Sequence, residues 1–309
     1  MKLQLHFFLL LSAAVLFSSD AATRKLTALV KEQPLVLKYH NGNLLKGDYT
    51  FNILMYGNFT SVQKSILLDF IESLSPLNPP PSPSVSSWWA GTDAYSYGHK
   101  AKPTNTNVTF GLLFEMYGLS PSEKHLNSTA LFDLEKNISG GKKSVGIVLT
   151  SSEVVVDGFC SSKCGTHGFL KKDKSDVPYV WVGNSAKQCP GHCAWPFHKP
   201  VYGPQTPPLL PPNGDVGIDG MIINLATLFA GTVTNPYGNG YFQGPKGGGL
   251  EAVSACAGVF GKGAYPGYPG QVLVDKSTGA SYNAQGINGR KYLLPAMWDP
   301  KTYKCATLV

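Results

Sequence analysis

The chain has 309 residues, with 26 Lys and Arg against 19 Asp and Glu and a formal net charge of +7. Only 15% of residues are charged, while Gly (34) and Pro (23) are abundant, which excludes a coiled coil or an all-helical chain and points to ordered loops. The basic balance suits retention on an acidic matrix such as pectin, and the absence of a basic cluster argues against a nucleic-acid partner.

The N-terminus reads MKLQLHFFLLLSAAVLFSSDAATRK. A basic Lys2, an apolar core from Phe7 to Phe17 and small residues at Ser18, Ser19 and Ala21 follow the grammar of a secretory signal peptide. Residues 1–21 are therefore expected to be removed, leaving one extracellular domain over 22–309. The apolar core is shorter than the ~20 residues a spanning helix needs, so the mature chain is expected to have no membrane span.

Leu35, Leu37 and Tyr39 alternate like a short strand, and His40-Asn41-Gly42 supplies a turn. Asp48–Tyr56 is rich in strand formers. Thr60 is placed to cap a helix over SVQKSILLDFIESLS, where Val62, Ile66, Leu67, Phe70 and Ile71 recur at helical spacing. The prolines of SPLNPPPSPS end that helix, because proline removes backbone donors. Thr106–Tyr117 contains a strand. Ser120–Asn137 is partly helical, with Leu126, Ala130, Leu131 and Leu134 expected on one face. Ser144–Thr150 is a continuous apolar run and reads as a buried strand. Pro178–Val182 reads as another. Val216–Thr232 reads as an apolar helix ended by Gly231 and Pro236, and glycine- and aromatic-rich loops with short strands follow from Tyr237. Alternating strands and helices imply an α/β or α+β fold: a single layered domain with a mixed central sheet and a Gly/aromatic-rich, disulfide-stabilised C-terminal half.

Four sequons, at Asn58, Asn107, Asn127 and Asn137, mark candidate glycosylation sites in a secreted chain, all in its first half. Cys160, Cys164, Cys189, Cys193, Cys256 and Cys305 form an even set, which an oxidising compartment turns into disulfides. A Cys256–Cys305 bridge and two bridges among the other four are expected. The alternative is zinc held by some of those four with His167, His192 and His198.

These three histidines are also candidate catalytic bases, against the blander reading that they bond loop backbone around the disulfides. Asp215 and Asp219, in NGDVGIDG, share a helix face at i,i+4 spacing and form a candidate acid–base pair. An Asp at a helix start is equally an ordinary cap. Glu251 is a further acidic candidate. Trp88, Trp89, Trp195, Trp298 and the tyrosines at 265 and 268 suit either sugar stacking or a core.

The motifs YHNGNLLKGDYTFNILMYGNFT, DGFCSSKCGTHG, YVWVGNSAKQCPGHCAWPFH, YGPQTPPLLPPNGDVGIDGMIINLATLFAGTVTNP and YNAQGINGRKYLLPAMWDP closely resemble the plant EXORDIUM, or phosphate-induced, protein family across the mature chain. The resemblance implies a secreted protein of the cell wall or apoplast, linked to cell expansion, brassinosteroid and nutrient status. It brings no established catalytic activity and no cofactor. The expected mode is non-catalytic binding of an acidic wall polysaccharide or a cell-surface receptor; the alternative is a wall hydrolase or a degenerate metallopeptidase-like enzyme. One helix, TLFAGTVTNP, also resembles the metal-binding helix of some secreted bacterial zincin-like proteins, with Thr227, Leu228 and Gly231 where the metal-site residues stand. That resemblance implies a zincin-like ancestor whose metal site has been lost.

Overall fold

A computed structural model describes residues 35–95, 106–161, 163–172 and 175–309. The expected signal peptide lies outside them. A five-stranded mixed sheet organises the molecule, and its first strand in chain order follows a short one, β1 (Lys38–Tyr39). The sheet strands are β2 (Gly47–Tyr56), β3 (Thr106–Met116), β5 (Ser144–Thr150), β7 (Gly165–Lys172) and β8 (Ser175–Gly183); β4 (His125–Leu126) and β6 (Val155–Val156) pair with each other beside it. The sheet order is β3-β2-β5-β8-β7. Its first four members run parallel, and β7 is an antiparallel edge.

Parallel neighbours need crossovers; helices supply those among β2, β3 and β5, whereas β5 reaches β8 through β6 and β7. Between β2 and β3 lie α1 (Ser61–Glu72) and α2 (Val85–Trp89). Thr60 caps α1 as expected: its hydroxyl accepts from Gln63 N, and the Gln63 side chain returns to Thr60 N, which satisfies two orphan donors. Between β3 and β5 lies α3 (Ser128–Ile138), capped by Asn127. Leu131, Glu135 and Ile138 form its buried face; Leu126 lies just before it, in β4, and not on the helix.

The period-two pleat sorts the sheet residues into two cores. Phe51, Ile53, Met55, Val145, Ile147, Leu149, Val180 and Val182 face α1 and α5 (Val216–Thr234). Leu54, Tyr56, Val148 and Trp181 face α3 and the cysteine-rich loops. At the β2–β3 register shift near Phe51, the Asn52 amide completes the local bonding: Oδ1 accepts from Leu112 N and Nδ2 donates to Ile138 O.

Helix α5 is long and apolar enough to cross a membrane, yet it is largely buried within the fold. Its polar threonines at 227, 232 and 234 donate back to carbonyls four residues earlier, so no hydroxyl is left bare in the core. The C-terminal half wraps the α1–α2 side with short hairpins, as the Gly-rich sequence implies. Tyr292 Oη donates to Ile66 O, Trp88 Nε1 to Pro295 O, and Arg290 pairs with Asp69 at 2.9 Å. Residues 35–309 form one compact unit. The disulfides are Cys160–Cys189, Cys164–Cys193 and Cys256–Cys305, the last as expected and the others resolving the open pairing of the first four cysteines. They tie the loop before β7 to α4 (Pro190–Cys193) and the C-terminal strand to the loop after Glu251.

Candidate functional site

A cleft of about 870 Å³ runs along the outer edge of β7. One wall is α5, with Thr227 and Leu228; another is the glycine loop 247–249; the two cysteine-rich loops close one end. Glycine makes this geometry reachable. A Cβ on Gly165 would stand 2.4 Å from Trp181 O and 2.7 Å from Leu228 Cδ1, so only glycine lets β7 lie this close to α5.

The structure brings two of the candidate residues together here. His167 Nε2 lies 2.7 Å from Glu251 Oε2. A carboxylate accepts, so Nε2 carries the hydrogen of this bond. Glu251 Oε1 accepts from Asn235 Nδ2 at 2.6 Å, and Asn235 Oδ1 accepts from Gly240 N at 2.7 Å. The Glu251 backbone N–H donates to Ser254 Oγ, directly after the Gln243–Leu250 bridge that closes the glycine loop. The carboxylate is thus held at both oxygens, and its backbone at the N–H. Gly231 of α5 faces the pair: a Cβ there would fall 2.5 Å from Glu251 Oε2 and 2.8 Å from His167 Nε2. The remaining ring nitrogen, Nδ1 of His167, is buried and has no partner among the described residues.

The other candidates lie apart from this pair. His192 is exposed at the cleft mouth, with its ring 6.1 Å from that of Tyr202. His198 is exposed, and its Nδ1 contacts Lys199 O at 2.9 Å. Asp215 caps α5: Oδ1 accepts from Ile218 N at 3.0 Å and Oδ2 from Gln63 Nε2 at 2.8 Å. Asp219 is buried and holds the loop before the helix, accepting from Asn213 N and Nδ2 at 2.9 and 2.7 Å. Burial pushes its carboxyl up to about 7, outweighing those two donors. Both aspartates are therefore engaged by α5, its approach loop and, for Asp215, Gln63 of α1. Trp88, Trp89 and Trp298 are buried and Trp195 is half-buried, in keeping with the core reading; Tyr265 is exposed, its ring tilted against that of Tyr268 at 5.1 Å. Asn58, Asn107, Asn127 and Asn137 are all exposed.

Lys163 and Lys246 both line the cleft, and Glu251, already engaged, is the acidic residue among the lining groups. Neither lysine, nor Asn235, nor the strand character of β7 was singled out from sequence. Glu135 was also missed. It lies on the buried face of α3 with 2% exposure, its Oε1 without a partner among the described residues, and burial pushes it up to about 8 against the opposing pull of Lys163.

No group of three or more metal-ligating side chains occurs among the described residues, and the cysteines are consumed in disulfides. No solved structure matches the chain. The model of the phosphate-induced protein 1 conserved region matches residues 37–308. Protein EXORDIUM-like 2 of Arabidopsis thaliana is 56% identical over 91% of this chain and 92% of its own length. Protein PHOSPHATE-INDUCED 1 of Nicotiana tabacum is 50% identical over 98% and 99%, and Protein EXORDIUM of Arabidopsis thaliana 48% over 98% and 98%. With a family model spanning nearly all the described fold and relatives matched end to end, the chain belongs to the plant EXORDIUM, or phosphate-induced protein 1, family.

Proposed function

We propose that this is a secreted protein of the cell wall or apoplast that regulates cell expansion, in step with brassinosteroid or nutrient status, by non-catalytic binding in the β7 cleft. The relatives' names fit a plant growth-related protein. Three disulfides suit an oxidising extracellular compartment, and the apolar α5 is a core helix. Residues 1–21 would be removed on export, 22–309 would act as one extracellular domain, and the four exposed sequons would carry glycans.

The observation that carries the binding mode is the closure of the His167–Glu251–Asn235 chain. His167 and Glu251, the two candidates that meet in the cleft, are tied to each other and to Asn235, and Asp215 and Asp219 serve the helix. His192 stands exposed beside Tyr202, without a carboxylate among the described residues to orient it. An extracellular partner, an acidic wall polymer or a receptor segment, would meet basic side chains and an open strand edge. The test is to screen the purified secreted protein for binding and cleavage on wall polysaccharides and peptides, with His167→Ala and Glu251→Gln beside it. Binding without turnover is expected; turnover abolished by either variant, with the fold intact, would overturn the reading.

One observation favours a second reading, an unassigned wall hydrolase or a degenerate metallopeptidase-like enzyme. A carboxylate orients His167 as it orients a general base, and the other ring nitrogen is unpartnered. The zincin-like ancestry belongs with this reading: Thr227, Leu228 and Gly231 of α5 lie along the cleft or face the pair.

A further inference from the structure

The outer edge of β7 carries unpaired backbone. Gly183 N donates to Cys164 O across the β7–β8 ladder, which makes 164↔183 a hydrogen-bonded pair. Antiparallel pairs alternate between bonded and non-bonded. From the register, Thr166 and Gly168 then bond β8, while Gly165, His167, Phe169 and Lys171 turn their N–H and C=O groups outward. Pro178 stands opposite Phe169 and has no N–H to give, as a non-bonded pair requires. Among the described residues, no backbone hydrogen bond reaches the outward groups of Gly165, His167 or Phe169; His167 O has only a 3.4 Å contact from the neighbouring Thr166 hydroxyl.

Open edges of this kind are ordinarily short, covered or blunted. This one is eight residues long, and its first part, Gly165 to Phe169, lines the cleft. Side chains wall it on both faces. Tyr237 packs edge-on to Phe169 at 5.4 Å on one side, and on the other Lys163 lies over Trp181 at 5.9 Å. Lys246 and the exposed His192 also line the cleft.

Resting on the cleft-binding reading above, we infer that the partner is an extended acidic peptide segment that adds to the β7 edge as a further strand. Strand addition satisfies the outward N–H and C=O groups at their own two-residue repeat, which a polysaccharide lacks. Carboxylates at alternate positions then meet Lys163 or Lys246. The outward groups from Gly165 to Lys171 span about 20 Å, enough for six or seven peptide residues.

The test uses eight-residue peptide libraries with Asp or Glu at every second position and all residues elsewhere. Two further libraries are N-methylated on one or the other alternating set of amides, and an oligogalacturonate serves as a polysaccharide of similar charge. Retained ligands are identified by mass spectrometry, and hydrogen exchange is followed at Gly165, His167 and Phe169. The acidic library should be retained and should slow exchange at these amides at least tenfold. One methylated set should lose retention at least tenfold, and the other should keep it. Phe169→Pro removes an outward N–H without removing a ladder bond and should weaken retention likewise. Equal retention of both methylated sets, unprotected amides, or no retained peptide would overturn the inference. Oligogalacturonate bound in the cleft without the peptides would overturn it while leaving the cleft-binding reading intact. No ligand of either kind in the cleft would remove both.

Discussion

Replacing Glu135 by Gln should make the protein less sensitive to alkali. Glu135 lies on the buried stripe of α3, between Leu131 and Ile138, and is 2% exposed. Burial pushes its carboxyl up from 4.5 to about 8, although Lys163 pulls the other way. Between those two values the folded protein holds a proton that the unfolded chain has released. Stability therefore falls as pH rises through this window, and the contribution is fully retained below it. The gap sets a ceiling of ~5 kcal/mol on the loss. Relaxation of the surroundings, Lys163 included, should reduce it to ~2 kcal/mol. Gln has the same shape and no charge to desolvate. Urea unfolding followed by tryptophan fluorescence at pH 5, 6, 7 and 8 should show wild type and Glu135→Gln close together at pH 5. The variant should be more stable by ~2 kcal/mol at pH 8. Asp219, pushed up to about 7 by burial, adds a similar downward slope to both proteins and does not disturb the difference. Parallel curves for the two would refute the placement of a desolvated carboxyl at Glu135.

Gly231→Ala should gain ~1 kcal/mol of helix propensity but lose more by forcing His167 and Glu251 apart, for a net loss of ~1 kcal/mol in unfolding measurements; a stabilised variant would contradict the packing. Cys256→Ser with Cys305→Ser opens a loop of sequence separation 49 and should cost ~4 kcal/mol by chain entropy, read as a lower urea midpoint. Asp215→Ala removes the α5 cap and should cost ~1 kcal/mol without altering ligand retention; a variant stable but unable to bind would place Asp215 in the site instead. Protein isolated from the medium of plant cells should lose mass on deglycosylation, and Asn→Gln at 58, 107, 127 and 137 should remove the loss.

Strong local signals were readable directly. The Ser144–Thr150 run forms the buried β5, Thr60 caps α1, and the apolar stretch after Asp215 forms α5. Each depends on residues within a few positions of one another. The strand β7 gave no such signal, because GTHGFLKK mixes glycine and lysine on an edge that is not fully buried. Its role follows from β8, with which it pairs, and from the cleft it borders. His167 and Glu251 were each readable as candidates, but their meeting depends on α5 lacking a side chain at position 231. Asp215 and Asp219 show the converse: correct spacing on one helix face, with both carboxylates engaged by backbone and Asn or Gln donors. Glu135 was legible in principle, since Leu131, Glu135 and Ile138 recur at i, i+4 and i+7. An acid on an apolar stripe is the signal that would have found it.

The central claim is that the β7 cleft binds without turning its partner over. The most direct measurement is mass spectrometry of ligand recovered from the cleft after prolonged incubation, with hydrogen exchange at Gly165, His167 and Phe169 read on the same sample. The account predicts ligand of unchanged mass and slowed exchange at those amides. Cleaved ligand whose formation stops in folded His167→Ala or Glu251→Gln would contradict it.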